Sequence, residues 1–170
     1  YVPSTGQSSQ TACAAGTYNP DTGSSEASAC LDADAGHYVD STASTSQTAC
    51  AAGTYQPSTG QSACLDADAG HYVASEGSSS QTACTAGAYQ PSTGQTSCID
   101  ASAGHYVDST ASTSQTACAT GTYQPSTGQS ACLDADAGHY VDSTAATSQT
   151  PCAAGTYNSN SGSITSLSLI

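Results

Sequence analysis

Residues 50–66 read CAAGTYQPSTGQSACLD, and residues 67–83 read ADAGHYVASEGSSSQTA. Both carry G-x-Y at the same place, so the second stretch is a rewording of the first. The wording runs through the chain. Tyr18, Tyr38, Tyr55, Tyr72, Tyr89, Tyr106, Tyr123, Tyr140 and Tyr157 follow Tyr1 in steps of 17, except for a step of 20 between Tyr18 and Tyr38. A glycine stands two residues before each tyrosine from Tyr18 onward. The two versions alternate, which makes a 17-residue module and a 34-residue repeat. Self-similarity at a fixed period marks a repeat architecture, in which small units bury their faces against one another.

A 34-residue period also suits helix–turn–helix arrays, but this composition does not. Pro, Gly, Ser and Thr recur every few residues, and no apolar stripe at i, i+3, i+4 exists. The stretches TYQPSTGQSAC (54–64) and HYVDSTASTSQTAC (37–50) read as short strand, turn, short strand. In PSTG (57–60) the proline presets φ and the glycine takes positive φ. The expected fold is a small disulfide-rich repeat protein, mostly irregular with short β-hairpins, with no helices of note. The modules would form an elongated rod or solenoid-like string, each contacting only its neighbours. The divisions expected are a first, partly truncated and insertion-bearing unit (1–29), four repeats (30–63, 64–97, 98–131 and 132–157) and a divergent tail (158–170).

Charge and composition exclude several functions. The chain has 170 residues, 13 acids, no lysine or arginine, and a formal net charge of −13. Nothing in it can neutralise phosphate, so neither nucleic acid nor an anionic membrane surface is a partner. No apolar run of about 18 residues is present, so this piece does not insert in a membrane. Trp, Phe and Met are absent, 54 of the 170 residues are Ser or Thr, and large aliphatics are scarce until the final ITSLSLI. Such a chain cannot offset its ordering entropy with one large core. The nine cysteines supply the alternative, since core-poor domains are stapled by disulfides in an oxidising, extracellular setting. The sequence has no signal peptide or starting methionine and begins mid-motif, at YVPSTGQSSQTAC. It reads as a processed or partial piece of a longer secreted protein.

The pattern C-x-x-G-x-Y, about nine residues, then Q-[ST]-x-C rests on Cys50, Gly53, Tyr55 and Cys64. Its copies are Cys84, Gly87, Tyr89, Cys98 and Cys118, Gly121, Tyr123, Cys132. It resembles the cysteine-rich repeats of the tumour-necrosis-factor-receptor and ephrin-receptor type, over nearly the whole chain. In that family an aromatic packs over the disulfide joining the two cysteines, so the resemblance gives the nine tyrosines a packing role. The sequence departs from the family in carrying CLDA (64–67) where C-x-x-C is usual, and no binding loop carries over. The resemblance implies a fold element and not a ligand.

Two regular pairings fit the cysteine spacing. In one, each module closes on itself: Cys13–Cys30, Cys50–Cys64, Cys84–Cys98 and Cys118–Cys132. Cys152 is then left over or intermolecular, with Ser166 where its partner would stand. In the other, the 20-residue segments close: Cys30–Cys50, Cys64–Cys84, Cys98–Cys118 and Cys132–Cys152, leaving Cys13. The family resemblance implies the first; the tidy C-terminus points to the second. Each bridge contributes about 3 kcal/mol through chain entropy. In the second flavour of module the leading cysteine has become alanine (33, 67, 101 and 135), so that hairpin is expected to lack its own staple.

Three further motifs bear on chemistry. His37, His71, His105 and His139 recur every 34 residues, one per repeat, whereas a zinc site needs three or four converging ligands. LDADAGHYVD places Asp32, Asp34 and Asp40, or Asp134, Asp136 and Asp142, around a glycine turn. D-x-D-x-G resembles calcium loops, which makes these acids a weak calcium candidate. The hydroxyl-rich runs DSTASTSQT (40–48 and 108–116) suit O-linked glycans, and no N-x-[ST] sequon occurs. No nucleophile elbow or oxyanion-hole sequence appears, and near-identical copies are unlike a single irregular catalytic pocket. No catalytic residue and no required cofactor are expected. The function expected is a non-enzymatic extracellular stalk, self-assembling filament or surface coat whose partners are copies of itself. The alternative is a receptor-like or adhesin ectodomain binding a protein or glycan.

Overall fold

The computed structural model describes residues 12–21 and 29–168. The residues inserted between Tyr18 and Tyr38 fall largely in 22–28, outside the described residues. Among those described, eighteen two-residue strands form nine antiparallel hairpins, and no α-helix occurs.

The residues fall into two compact units. The first takes in residues up to Asp68, with Tyr72–Thr82 and Thr93–Ser97. The second takes in Ala69–His71, Ala83–Ser92 and everything from Cys98. In chain order, β1 (Thr17–Tyr18) pairs with β2 (Leu31–Asp32), β3 (His37–Tyr38) with β4 (Thr48–Ala49), and β5 (Thr54–Tyr55) with β6 (Leu65–Asp66). Next come β7 (His71–Tyr72) with β8 (Thr82–Ala83), β9 (Ala88–Tyr89) with β10 (Ile99–Asp100), and β11 (His105–Tyr106) with β12 (Thr116–Ala117). The last three are β13 (Thr122–Tyr123) with β14 (Leu133–Asp134), β15 (His139–Tyr140) with β16 (Thr150–Pro151), and β17 (Thr156–Tyr157) with β18 (Leu167–Ser168). Residues 158–168, read as a divergent tail, thus form the turn and return strand of a further hairpin.

Each hairpin starts from the same turn. His37 N–H donates to the Asp34 carbonyl at 2.9 Å and Thr54 N–H to the Ala51 carbonyl at 3.0 Å. Gly36 and Gly53 sit third in these turns with φ of 82° and 88°. That is the type II geometry, which glycine adopts without a steric penalty.

Successive modules are joined by four backbone hydrogen bonds. In the first unit Gly36 N–H reaches the Gln56 carbonyl (2.8 Å) and Val39 N–H the Gln61 carbonyl (3.0 Å). In return Cys50 N–H donates to Gly36 (2.8 Å) and Gly60 N–H to Ala33 (2.8 Å). In the second unit the same set links Gly104 to Gln124, Val107 to Gln129, Cys118 to Gly104 and Gly128 to Ala101, at 2.7 to 3.0 Å. Backbone groups that a two-residue strand leaves unpaired are therefore satisfied by the next module.

Contact also extends one module further than expected. A Cβ on Gly36 would strike the carbonyl of Gly77, and one on Gly104 the carbonyl of Ala145, in each case the turn of the module after next. Only glycine allows that approach, which is why modules do not contact their immediate neighbours alone.

The interior is built from small residues in register. In all modules but the first and last, the position three before the glycine is Ala33, Cys50 and Ala67 in the first unit and Cys84, Ala101, Cys118 and Ala135 in the second, all at most 1% exposed. The position three after it is Val39, Gln56 and Val73, then Gln90, Val107, Gln124 and Val141, all buried. Alanine in the second flavour occupies the same buried slot as cysteine in the first.

Candidate functional site

Four disulfides join Cys13 to Cys30, Cys50 to Cys64, Cys84 to Cys98 and Cys118 to Cys132, with Cα–Cα distances of 5.7 to 5.8 Å. These are the pairs of the module-closing arrangement. Cys152 is a free, half-buried thiol. Each bridge ties the residue before the turn to the residue before the return strand.

Modules without a bridge are tied at the same place by hydrogen bonds. The Gln47 side chain accepts from Asp34 N–H and donates to the Asp34 carboxylate, both at 2.6 Å. Gln81 holds Asp68 in the same two-point grip at 2.6 Å, and Gln149 holds Asp136 at 2.6 to 2.7 Å. In the third copy, where Ser102 replaces the aspartate, Gln115 keeps only the backbone bond at 2.7 Å. The hairpin expected to lack a staple therefore has one, and its parts are the glutamine of SQT and the acid after the buried alanine. Cysteine spacing gave no sign of it.

The grip assigns Asp34 and Asp136 to folding. Asp40 accepts from its neighbour Ser41 at 2.6 Å, and Asp32 lies under the Gly60 turn. Asp134 lies under Gly162 in the same way, and Asp142 is exposed. Among the described residues no three His, Cys, Asp or Glu side chains gather into a group able to hold a metal ion. His37, His71 and His105 each point Nδ1 at the carbonyl two residues back, at 3.3 to 3.4 Å, whereas the buried Nδ1 of His139 has no partner.

Gln56 and Gln124 were not singled out by the sequence, yet each is a folding centre. Gln56 is 5% exposed, donates to the Ala63 carbonyl at 2.7 Å and accepts from Ser58 N–H at 3.1 Å. It spans its own PSTG loop from inside, a buried amide with both ends satisfied. Gln124 repeats this with Ala131 and Ser126.

The tyrosines occupy the second position of each outgoing strand and are half-buried, except Tyr157, which is 46% exposed. In first-flavour hairpins the partner across the ladder is a large aliphatic residue: Tyr55 faces Leu65, Tyr89 faces Ile99, Tyr123 faces Leu133. Those aliphatics lie on the surface. Leu31 and Leu65 in the first unit, and Ile99, Leu133 and Leu167 in the second, are 45 to 52% exposed.

Cysteine, glycine and tyrosine thus recur at fixed places in one hairpin type, and the family described as tyrosine-protein kinase ephrin type A/B receptor-like matches residues 36–84, 70–118 and 116–152. Together the matches cover more than half of the chain. The chain belongs to this ephrin-receptor-like family. Its ephrin-receptor-like repeats are receptor-type cysteine-rich modules, a class typical of extracellular proteins. No curated protein matches the sequence. Among the described residues no helix is long and apolar enough to cross a membrane.

Within the second unit the ephrin-receptor-like modules also frame a shallow groove of about 480 Å³. Tyr106, Thr116, Ala117, Thr122, Ala131 and Cys132 contribute to its largely apolar lining. Cys132 immediately precedes the exposed Leu133. In the first unit a polar groove of about 420 Å³ runs beside Tyr72, Ser75, Ser78, Ser79, Ser80 and Thr82.

Proposed function

We propose that this chain is a non-enzymatic structural repeat of the extracellular space, a stalk or a self-assembling filament or coat whose partners are copies of itself. The observation that carries the reading is where the repeated polar chemistry goes. Eight of the nine cysteines, the Asp–Gln grips and the buried glutamines are committed to closing hairpins. The recurring residues thus make one module after another, and equivalent modules offer equivalent surfaces for symmetric or head-to-tail association. Ser41, Thr42, Thr45 and Ser46 are exposed, as O-linked glycans would require. Negative-stain imaging and sedimentation of the purified chain test this. Ordered multi-copy assemblies are expected, and uniform monomers at high concentration overturn the filament and coat.

A second reading is a receptor-like ectodomain that binds a protein ligand. It is favoured by the exposed Leu31, Leu65, Ile99, Leu133 and Leu167, because the interior takes Ala, Cys and Val while every described Leu and Ile is on the surface. Apolar side chains left outside at the equivalent position of every second hairpin suit a partner surface.

A further inference from the structure

We infer that in the second unit the exposed aliphatic residues and the groove beside Cys132 dock a cationic polypeptide segment in which apolar residues alternate with lysine or arginine. This rests on the ligand-binding reading above and names the chemistry of that ligand. Ile99, Leu133 and Leu167 are 45, 48 and 52% exposed, each opposite a tyrosine across a two-residue ladder. An aliphatic residue beside an aromatic one is the kind of anchor that carries binding energy once water is excluded. The groove lined by Tyr106, Ala117, Ala131 and Cys132 offers apolar depth next to Leu133.

Charge decides the occupant. Asp100 and Asp134 follow Ile99 and Leu133 directly and are exposed. Successive strand residues point to opposite faces, so these carboxylates act by their field and not by sharing the apolar contact. A Debye length of about 10 Å at 0.1 M salt lets that field reach across the hairpin. The chain has 13 acids and no lysine or arginine, so its carboxylates cannot find either cation within it. A second copy would bring the same acids to the same face, and like charges across an interface oppose association. A segment alternating apolar and basic residues supplies both missing halves.

The test titrates the full chain with three fluorescent peptides of equal length, alternating Leu–Lys, Ser–Lys and Leu–Gln, at low and physiological salt. Leu–Lys is expected to bind tightest and to weaken with salt. Replacing Ile99→Ser, Leu133→Ser and Leu167→Ser together is expected to weaken it roughly tenfold or more, at unchanged net charge. Because these side chains are half outside already, the triple variant keeps its fold, verified by a single titratable thiol at Cys152. Asp100→Asn with Asp134→Asn is expected to flatten the salt dependence. Equal binding of Ser–Lys, or no loss in the triple variant, overturns the proposal, since the contact is then charge alone. Tighter, salt-independent binding of Leu–Gln overturns the cationic partner and leaves the ligand-binding reading standing. Binding of none of the three overturns both. Self-association that the triple variant abolishes assigns the face to a second copy and overturns the proposal.

Discussion

Gly87 and Gly155 hold the same place in the repeat and nearly the same backbone, with φ of 92° and 82°. A methyl group would meet different surroundings at each. At Gly87 it would run into the backbone carbonyl of Gly128, whereas at Gly155 nothing lies within 4 Å. Gly155→Ala therefore costs the left-handed backbone alone, about 1–2 kcal/mol. Gly87→Ala adds a collision with backbone that has no side chain to swing away, and the total should exceed about 3 kcal/mol. Urea unfolding of the two variants measures the difference, and equal midpoints would show that the turn carbonyl is free to retreat. The spacing of G-x-Y made the turn legible in the sequence. It did not disclose the carbonyl 41 residues on, because that contact arises only when modules nest.

Two chemistries close the same hairpin. Cys50–Cys64 and the Asp68–Gln81 grip tie equivalent strand ends, and Thr54↔Asp66 and His37↔Ala49 show the register to be common to both flavours. The buried Ala67 and the gripping Gln81 thus stand where Cys50 and Cys64 stand one module earlier. Ala67→Cys with Gln81→Cys is expected to form a fifth disulfide, read as a two-hydrogen mass loss. A gain of no more than about 1 kcal/mol should follow, the disulfide's entropy term of about 3 kcal/mol less about 1 kcal/mol for each of the two lost hydrogen bonds. Ser166→Cys should likewise capture Cys152, because Thr156↔Ser168 and Tyr157↔Leu167 repeat that register. The Ser166→Cys chain should carry no free thiol and stay monomeric on a non-reducing gel; two free thiols would show that the pair does not close, and a covalent dimer that the bridge forms between chains. The alanine in the cysteine slot was visible in the sequence, and so was the module. The grip was not, since its residues are 13 apart where the cysteines are 14 apart, and hydrogen bonds between common polar residues leave no spacing of their own.

At the scale of the whole chain, composition foretold that no single large core would form, and the interior is indeed a series of Ala, Cys, Val and Gln slots within each unit. What composition could not disclose is that the few leucines and isoleucines stay outside, because a strand of two residues has too little alternation to say which face is buried. Charge gives the last expectation. With a net charge of −13 and no lysine or arginine, folding brings carboxylates together with no basic side chain to offset them except histidine. Self-repulsion of that kind weakens the compact state, and salt relieves it as the Debye length falls from about 30 Å at 0.01 M to about 8 Å at 0.15 M. The thermal midpoint should therefore rise by several degrees over that range of sodium chloride, followed by tyrosine absorbance or circular dichroism. A flat or falling midpoint would mean that the acids are too well separated to repel. Calcium chloride at matched ionic strength gives the second arm: an equal rise is screening, and a larger one that Asp32→Asn with Asp134→Asn removes is a bound ion at the aspartate turns, the chemistry that the DADAG wording first suggested.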